Sequence, residues 1–316
     1  MRYLDATTIE SLAPLAELVD VVDSAYRDVA NGRDRSPLRA GIALSGGDLL
    51  IMPGVREGAS GVSVKVVSIV AGNRELGLPT VQALVVWVDA DTGTPRALLD
   101  GNALTLLRTG AGTGAATRLL SRDDSRVLAM IGAGGQAEWQ VRAVCAVREI
   151  REVRVWAPSA RRDELATRLG DMLAPVVVVG AAASAERAVR GADVVCCATT
   201  SSVPVLDAAW VEPGAHVNGI GAFRPGMVEL PVGLFARASL VTVDSREAAL
   251  AEAGDVLAAI DAGAIDASRL VEIGSLDAGA RERSAVTVFK SVGLAAQDAA
   301  AAELIVRRAS EAGLLD

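Results

Sequence analysis

The sequence predicts an α/β protein of two domains, one an open, doubly wound parallel sheet and the other an α+β domain. Three observations carry this expectation. From residue 126 onward short apolar runs alternate with helical stretches, "RVLAMIG", "VRVWAP", "VVVVG", "ADVVCCATT", "AHVNGIGA" and "SLVTVDS", which is the order of βαβ units. Before that point "RAGIALS", "DLLIMPG", "GVSVKVVSIV" and "TVQALVVWVDADTGTPRALLDG" alternate apolar and polar residues like half-buried strands. At 316 residues the chain also exceeds what one core ordinarily holds.

Taken in order, "AELVDVVDSAYRDVANG" has helical apolar spacing and ends at Gly32. The four strand runs follow, with "DADTG" as a turn inside the last, and read as an antiparallel sheet or a partial barrel. Two helices join the parts, "NALTLLRTGAGTGAATRLLS" and the C-terminal "SVGLAAQDAAAAELIVRRASEAG". The second is too apolar on one face to stand in solvent, so it is expected to pack back on the first domain. The domains are therefore expected at 1–118 with 293–316, and at 119–292.

Composition excludes several classes of function. A net charge of -8 with no basic run argues against nucleic acid or an anionic membrane as partner. Of three cysteines, Cys196 and Cys197 are adjacent on an expected strand and point to opposite faces. A structural disulfide is not expected, which suits a reducing cytoplasm. "MRYLDATTIE" lacks an apolar signal core, and no uncharged apolar run reaches the length of about 18 residues that a membrane helix needs. The one histidine, His216, is read as structural; without others, most Ser-His-Asp, Cys-His and His-metal schemes are excluded, and no metal site is expected.

The sharpest motif is "VLAMIGAGGQA", which puts Gly132, Gly134 and Ala137 in G-x-G-x-x-A spacing between an apolar strand and the helical "QAEWQVRAVCAV". The first glycine permits the turn, the second lets backbone approach a pyrophosphate, and the small third residue lets helix and strand pack closely. A Rossmann-type dinucleotide domain is expected, with Gly132, Gly134, Gly135 and Gln136 as cofactor contacts. An acid at the end of the next strand would bind the 2′-hydroxyl of NAD and repel a 2′-phosphate. Here the segment reads "VRVWAPSARRDE". Ser159, Arg161 and Arg162 precede the first acid, which favours NADPH over NADH; the alternative is that the two arginines are only the solvated start of a helix.

The chain writes positive charge as Arg 29 times and as Lys twice, at Lys65 and Lys290. Arg is a planar fork that stays charged, whereas Lys is a slim ammonium that can lose its proton. Lys65 sits mid-strand, Arg39 opens a strand, and Arg108 interrupts the apolar "NALTLLRTGAGTG". A cation inside an apolar segment is costly unless an anion or acceptors meet it. Three converging cations would make a carboxylate site; the alternative is that each pairs with one of the 39 acids or reaches solvent. Gly110, Gly112 and Gly114 weaken the helix after Arg108 and suggest a close approach of backbone to a cofactor or a neighbouring element.

The ordered set "LLIMPG", "VKVVS", Asn73, "GLPTVQALVVWVDADTGTPRALLDG", "LTLLRTGAGTGAATRLL", "IGAGGQA", "PGAHVNGIGAFRPGMVEL", "VDSREAALAEAGDV" and "TVFKSVGLAAQDAAAAELI" resembles the ornithine cyclodeaminase and mu-crystallin family over essentially the whole chain. The resemblance implies a homodimer in which the N-terminal domain, completed by the C-terminal helix, supplies dimerisation and substrate binding while the Rossmann domain holds NAD(H) or NADP(H). It implies that Arg39, Lys65 and Arg108 hold a substrate carboxylate beside the nicotinamide. It also places "TVFKS" near the nicotinamide, with Lys290 in cofactor-site packing rather than catalysis. Thr109 and Thr199 complete the expected cofactor set.

One departure narrows the function. Ornithine cyclodeaminases of the family carry an acid after the "GA" of "PGxHVNxIGA"; here that position is Phe223, which can neither take a proton nor orient water. The family's ketimine and pyrroline- or piperideine-carboxylate reductases lack the acid and share the "RP" and "EL" that follow. The expected activity is hydride transfer from NADPH to the C=N carbon of a cyclic ketimine carboxylate, at a site with no nearby catalytic acid. Met52, Phe223 and Val288 are expected to form an apolar outer wall. The alternatives are an ornithine cyclodeaminase, an alanine-type amino-acid dehydrogenase, or a crystallin-like protein that binds NADPH and a small ligand without useful turnover.

Overall fold

The computed structural model describes residues 1–277, 282 and 284–315, and the chain falls into two units, Met1–Thr109 with Leu294–Asp316, and Gly110–Gly293. The division lies between Thr109 and Gly110, inside one continuous helix, and not at the 118/119 boundary expected from sequence. Helical periodicity runs unbroken across a change of packing partner, so the pattern does not reveal where that change occurs.

Unit 1 begins with a short strand, β1 (Arg2–Leu4), and two helices, α1 (Ala6–Leu12) and α2 (Leu15–Ala30). Asp5 caps α1 by accepting the Thr8 N–H. In α2, Leu18, Val19, Val22, Ala25 and Tyr26 are buried on one stripe, and the chain leaves at Gly32 with φ 68°. Five strands follow: β2 (Ala40–Leu44), β3 (Gly47–Gly54), β4 (Gly61–Val70), β5 (Val81–Asp89) and β6 (Pro95–Asp100). The order is β1-β6-β5-β4-β3-β2; β1 runs parallel to β6 and the remaining pairs are antiparallel. The two end strands do not pair, so the sheet is open and the partial-barrel alternative is set aside.

Ser63, Lys65 and Val67 point to the covered face of β4, where the C-terminal helix (Ala295–Glu311) packs. That helix belongs to unit 1, where its run of small residues, Ala299 to Ala302, is buried and allows close approach. Gly54 is needed beneath its first turn, since a Cβ there would stand 2.5 Å from the Ala295 carbonyl oxygen. Arg308 donates to the Leu12 carbonyl at 2.9 Å, and Glu303 accepts from the Ser60 N–H at 2.9 Å.

Unit 2 takes over part-way along α3 (Gly101–Leu120). Its elements are β7 (Val127–Ile131), α4 (Gly135–Val147), β8 (Glu152–Trp156), α5 (Arg161–Leu173), β9 (Val178–Ala181), α6 (Ala185–Val189), β10 (Val194–Cys197), β11 (His216–Gly219), α7 (Val232–Arg237), β12 (Leu240–Val243), α8 (Arg246–Glu252), α9 (Gly254–Asp261), β13 (Leu270–Glu272) and β14 (Thr287–Lys290). All eight strands are parallel, in the order β13-β12-β14-β11-β10-β7-β8-β9. This is the doubly wound sheet that the alternation of strands and helices predicts. The chain order reverses between β7 and β10, the place where such sheets bind ligands beyond their strand ends.

His216 is fully buried, its ring nitrogens 2.9 Å from Thr287 Oγ1 and 3.0 Å from Asn218 Oδ1, in keeping with a structural role. Cys196 and Cys197 are buried free thiols on β10, and burial pushes the Cys196 thiol up to about 12. No helix among the described residues is long and apolar enough to cross a membrane. No group of His, Cys, Asp or Glu among them could hold a metal ion.

Candidate active site

In unit 1 the two strongest cation candidates meet on one acid. Lys65 stands opposite Met52 and Val85 in the sheet register, and its Nζ lies 2.6 Å from Oδ2 of Asp298. Arg108, on α3, donates from Nε to Oδ1 of the same carboxylate at 2.9 Å and from Nη1 to Gln297 Oε1 at 3.0 Å. Gln297 is itself held: Oε1 accepts the Leu294 N–H at 2.8 Å and Nε2 donates to Tyr26 Oη at 2.7 Å. Asp298 is fully buried, Lys65 is 2% exposed and Arg108 6%.

This corrects the expectation of a site without a nearby acid. Asp298 interrupts an alanine run in "AAQDAAAAE", the kind of anomaly that singles out Lys65, and the argument from a charge inside an apolar segment would have found it. Lys65 and Arg108 do pair with an acid, but both pair with the same one.

The electrostatics follow from that count. Burial pushes the Lys65 ammonium down from its ordinary value to about 7, with Arg108 and Arg39 pushing the same way and Asp298 opposing them. Arg39, half-buried just before β2, is therefore electrostatically coupled to the site. Two cations, Lys65 and Arg108, on one carboxylate leave a surplus of positive charge, and an incoming carboxylate would relieve it. Met52 is buried in the same unit, against Val67 and Ala295.

Unit 2 holds the second constellation. Gly132 follows β7 with φ 112°, a conformation that favours glycine, and a Cβ there would come within 2.6 Å of the Ala198 carbonyl oxygen. Gly134 precedes α4 in extended conformation with no side chain capping the helix, and a Cβ on it would meet open space. Gly134 and Gly135 are exposed, Gln136 is half-buried, and Ala137 is fully buried against the sheet. An uncapped helix N-terminus fronted by bare glycine backbone fits a pyrophosphate, so the loop fits the dinucleotide expected from sequence.

Beyond β8, Ser159 and Arg161 are exposed, while Arg162 pairs with Asp163 at 3.1 Å. Thr199 follows β10, and Thr109 is the last residue of unit 1 on α3. One expectation needs correction. Val288 is fully buried in β14, whose two edges pair with β11 and β12, and so exposes no surface to line an outer wall. Lys290, expected in cofactor-site packing, is likewise fully buried, with Nζ 2.7 Å from Asp255 Oδ2. Phe223 is half-buried, with the Arg224 guanidinium 5.2 Å from its ring centre.

The ornithine cyclodeaminase/mu-crystallin family model matches residues 2–313. The chain is 36% identical to a delta(1)-pyrroline-2-carboxylate reductase of Bacillus cereus over 99% of its own length and 98% of that protein. The structure of a Thermococcus litoralis delta(1)-pyrroline-2-carboxylate reductase in complex with NADH and L-proline superposes with a TM-score of 0.95 at 33% identity, covering 100% of this chain and 99% of that one. An archaeal alanine dehydrogenase dimer with bound NAD superposes with a TM-score of 0.90 at 32% identity, covering 99% and 97%.

Proposed function

The chain belongs to the ornithine cyclodeaminase/mu-crystallin family, and from that premise we propose that it is a nicotinamide-dependent reductase of the C=N bond in a small cyclic ketimine carboxylate, such as pyrroline-2-carboxylate or piperideine-2-carboxylate. The observation that carries this reading is the buried Lys65–Asp298–Arg108 cluster, whose surplus of positive charge calls for one carboxylate. The relatives with a matching activity or a bound proline support it. Phe223, in place of the cyclodeaminase acid, disfavours water attack and ammonia release.

A reduced nicotinamide bound at the Gly132–Gln136 loop supplies the hydride. The rest is done by side chains of unit 1. Arg108, fixed through Nε and Nη1, has Nη2 left to offer the substrate carboxylate, and Arg39 adds charge. Lys65, near 7, holds a proton that Nζ can share with a neutral imine nitrogen. The protonated C=N accepts hydride at carbon, its π electrons pass to nitrogen, and the product is the secondary amine. Lys65 is then reprotonated from solvent while Asp298 keeps its Nζ in place. An iminium is already electrophilic, so positioning and charge carry most of the work.

We take NADPH to be preferred over NADH, because no acid stands between Trp156 and Asp163 and Arg161 is exposed there. A homodimer is supported by the outer face of the unit 1 sheet, where Ile51, Val66 and Leu84 lie side by side and Val66 and Leu84 are exposed. A cytoplasmic setting suits three free thiols.

The test is optical. NADPH and NADH oxidation should be followed with both cyclic imines, beside cofactor reduction with ornithine, alanine and proline. Rapid oxidation with an imine, lost in Lys65→Ala, supports the reductase. Cofactor reduction with alanine would favour the reading that the archaeal dehydrogenase suggests, and binding with no turnover would leave a ligand-binding protein.

A further inference from the structure

At the C-terminal ends of neighbouring strands, unit 2 buries three charges that the reaction above does not use. Lys290 closes β14, Glu229 lies in the segment after β11, and Asp255 stands in the first turn of α9; none is more than 1% exposed. Lys290 Nζ is 2.7 Å from Asp255 Oδ2 and 3.8 Å from Glu229 Oε1. One ammonium against two carboxylates is costly in an interior unless donors surround the excess charge.

The donors come from backbone. Glu229 Oε2 accepts the Thr199 N–H at 2.9 Å and the Thr199 hydroxyl at 3.0 Å, and Oε1 accepts the Gly221 N–H at 2.6 Å. Asp255 Oδ1 accepts the N–H groups of Glu229 and Leu230 at 2.6 and 3.0 Å, fixing the segment that carries Glu229. Gly221 has no room for a side chain, because a Cβ would stand on Thr199 and 2.7 Å from Glu229 Oε2.

Placement gives the cluster a purpose. Thr199 opens the loop after β10 and Gly221 the loop after β11, both at the carboxyl edge of the sheet. The residue before Thr199 is Ala198, whose carbonyl abuts Gly132 of the glycine turn. Glu229 therefore ties the loop after β11 to the loop that walls the β7/β10 switch point, where dinucleotides bind in this type of sheet.

We infer that Glu229 is a positioning residue for the nicotinamide dinucleotide, holding the Thr199 and Gly221 loops against the glycine turn, and that Lys290 acts on the cofactor only through Glu229, as the buried counter-ion of the acid pair. This rests on the cofactor reading of the preceding section. Burial, with Asp255 adding to it, raises the Glu229 pKa, while Lys290 and the Thr199 and Gly221 N–H groups pull the other way.

The experiment is a fluorescence titration of the full chain with NADPH, read for both Kd and sites per chain, in wild type, Glu229→Gln, Lys290→Met and the double variant. Glu229→Gln keeps one acceptor oxygen and turns the other into an NH2 donor that must face the N–H of either Thr199 or Gly221, and Kd should rise about tenfold or more with the number of sites unchanged. The kcat at saturating NADPH should stay within about threefold. Lys290→Met should raise Kd similarly, and the double variant, which removes one charge of each sign, should bind no worse than the weaker single one. Should a single variant fail to fold, the double one is compared with wild type: a raised Kd with the sites unchanged supports the inference, and an unchanged Kd overturns it. Unchanged Kd with fewer sites would overturn the inference, since the cluster would then serve folding alone. Multiplied effects in the double variant would overturn it too, by showing that Lys290 meets the cofactor independently. Wild type that binds no NADPH would instead sink the preceding reading, and this one with it.

Discussion

The carboxylate of Asp298 bridges Lys65 and Arg108, with Oδ2 2.6 Å from the Lys65 ammonium and Oδ1 2.9 Å from Arg108 Nε. A bridged pair of buried cations differs from two separate salt bridges, because neither cation is neutralised in full. On the proposed function that surplus is the recognition element, and the site should then be sensitive to pH and to the loss of any member.

Lys65 titrates near 7, far below its ordinary value, so the protonated form should be lost as pH rises through 7. The expected kcat/KM for imine reduction falls on the alkaline side with one proton and a midpoint near 7. A bound carboxylate raises the Lys65 pKa, so the midpoint in kcat should lie higher than that in kcat/KM. A profile flat from pH 6 to 9 would remove Lys65 from the proton chemistry.

The same depression has a stability consequence. Below pH 7 Lys65 is charged in the folded and unfolded states alike, and the cost of burying the charge is fully present. Between about 7 and its unfolded value the unfolded chain holds more protons, so stability rises with pH, by about 1.4 kcal/mol per unit at most for one group. Lys65→Met removes this slope. Urea unfolding at pH 6 and pH 9 should therefore favour the variant more at pH 6; an equal difference at both would contradict the linkage.

Asp298→Asn leaves two buried cations without their counter-ion. Breaking a buried pair costs about 3–5 kcal/mol, and the Lys65 pKa should fall further because Asp298 is what holds it up. Denaturant midpoints and the alkaline limb of the rate profile, displaced to lower pH, check the two parts separately.

Arg108→Lys keeps the charge and loses the fork, so contact with Asp298, Gln297 and a ligand together is no longer possible. Initial-rate kinetics should show KM for the imine rising about 10- to 100-fold, with a smaller change in kcat.

Gly132→Ala puts a side chain at φ 112° and against the Ala198 carbonyl. The backbone strain alone is about 1–3 kcal/mol. NADPH binding should be lost in titration, whereas imine carboxylate binding by unit 1 should not.

Phe223→Asp restores the acid that the cyclodeaminases of the family carry. The variant is expected to gain ammonia release from ornithine; none, with reductase activity kept, would show that this position does not decide between the two chemistries.

Much of this molecule was legible in the linear pattern because the signals are local. The glycine turn, the strand–helix alternation and the helix ending at Gly32 each span a few residues, and backbone sterics and burial periodicity act over that range. Lys65 was visible as a compositional exception, Cys196 and Cys197 as buried from their strand context, and His216 as structural because no other histidine or acid cluster accompanies it. β1, β13 and the place of β14 between β11 and β12 were not, since short strands carry little periodicity and sheet order is a matter of long-range pairing.

What the chain alone determined, then, is that a dinucleotide turn and a set of misplaced cations exist. What only the folded molecule decided is what meets them. Arg108 and Asp298 stand 190 residues apart, and Glu229 is joined to Thr199 across 30. A buried charge demands a partner by its solvation energy, which depends on burial and is written locally. The partner's identity depends on which strand or helix tertiary packing lays beside it, and no local energy records that.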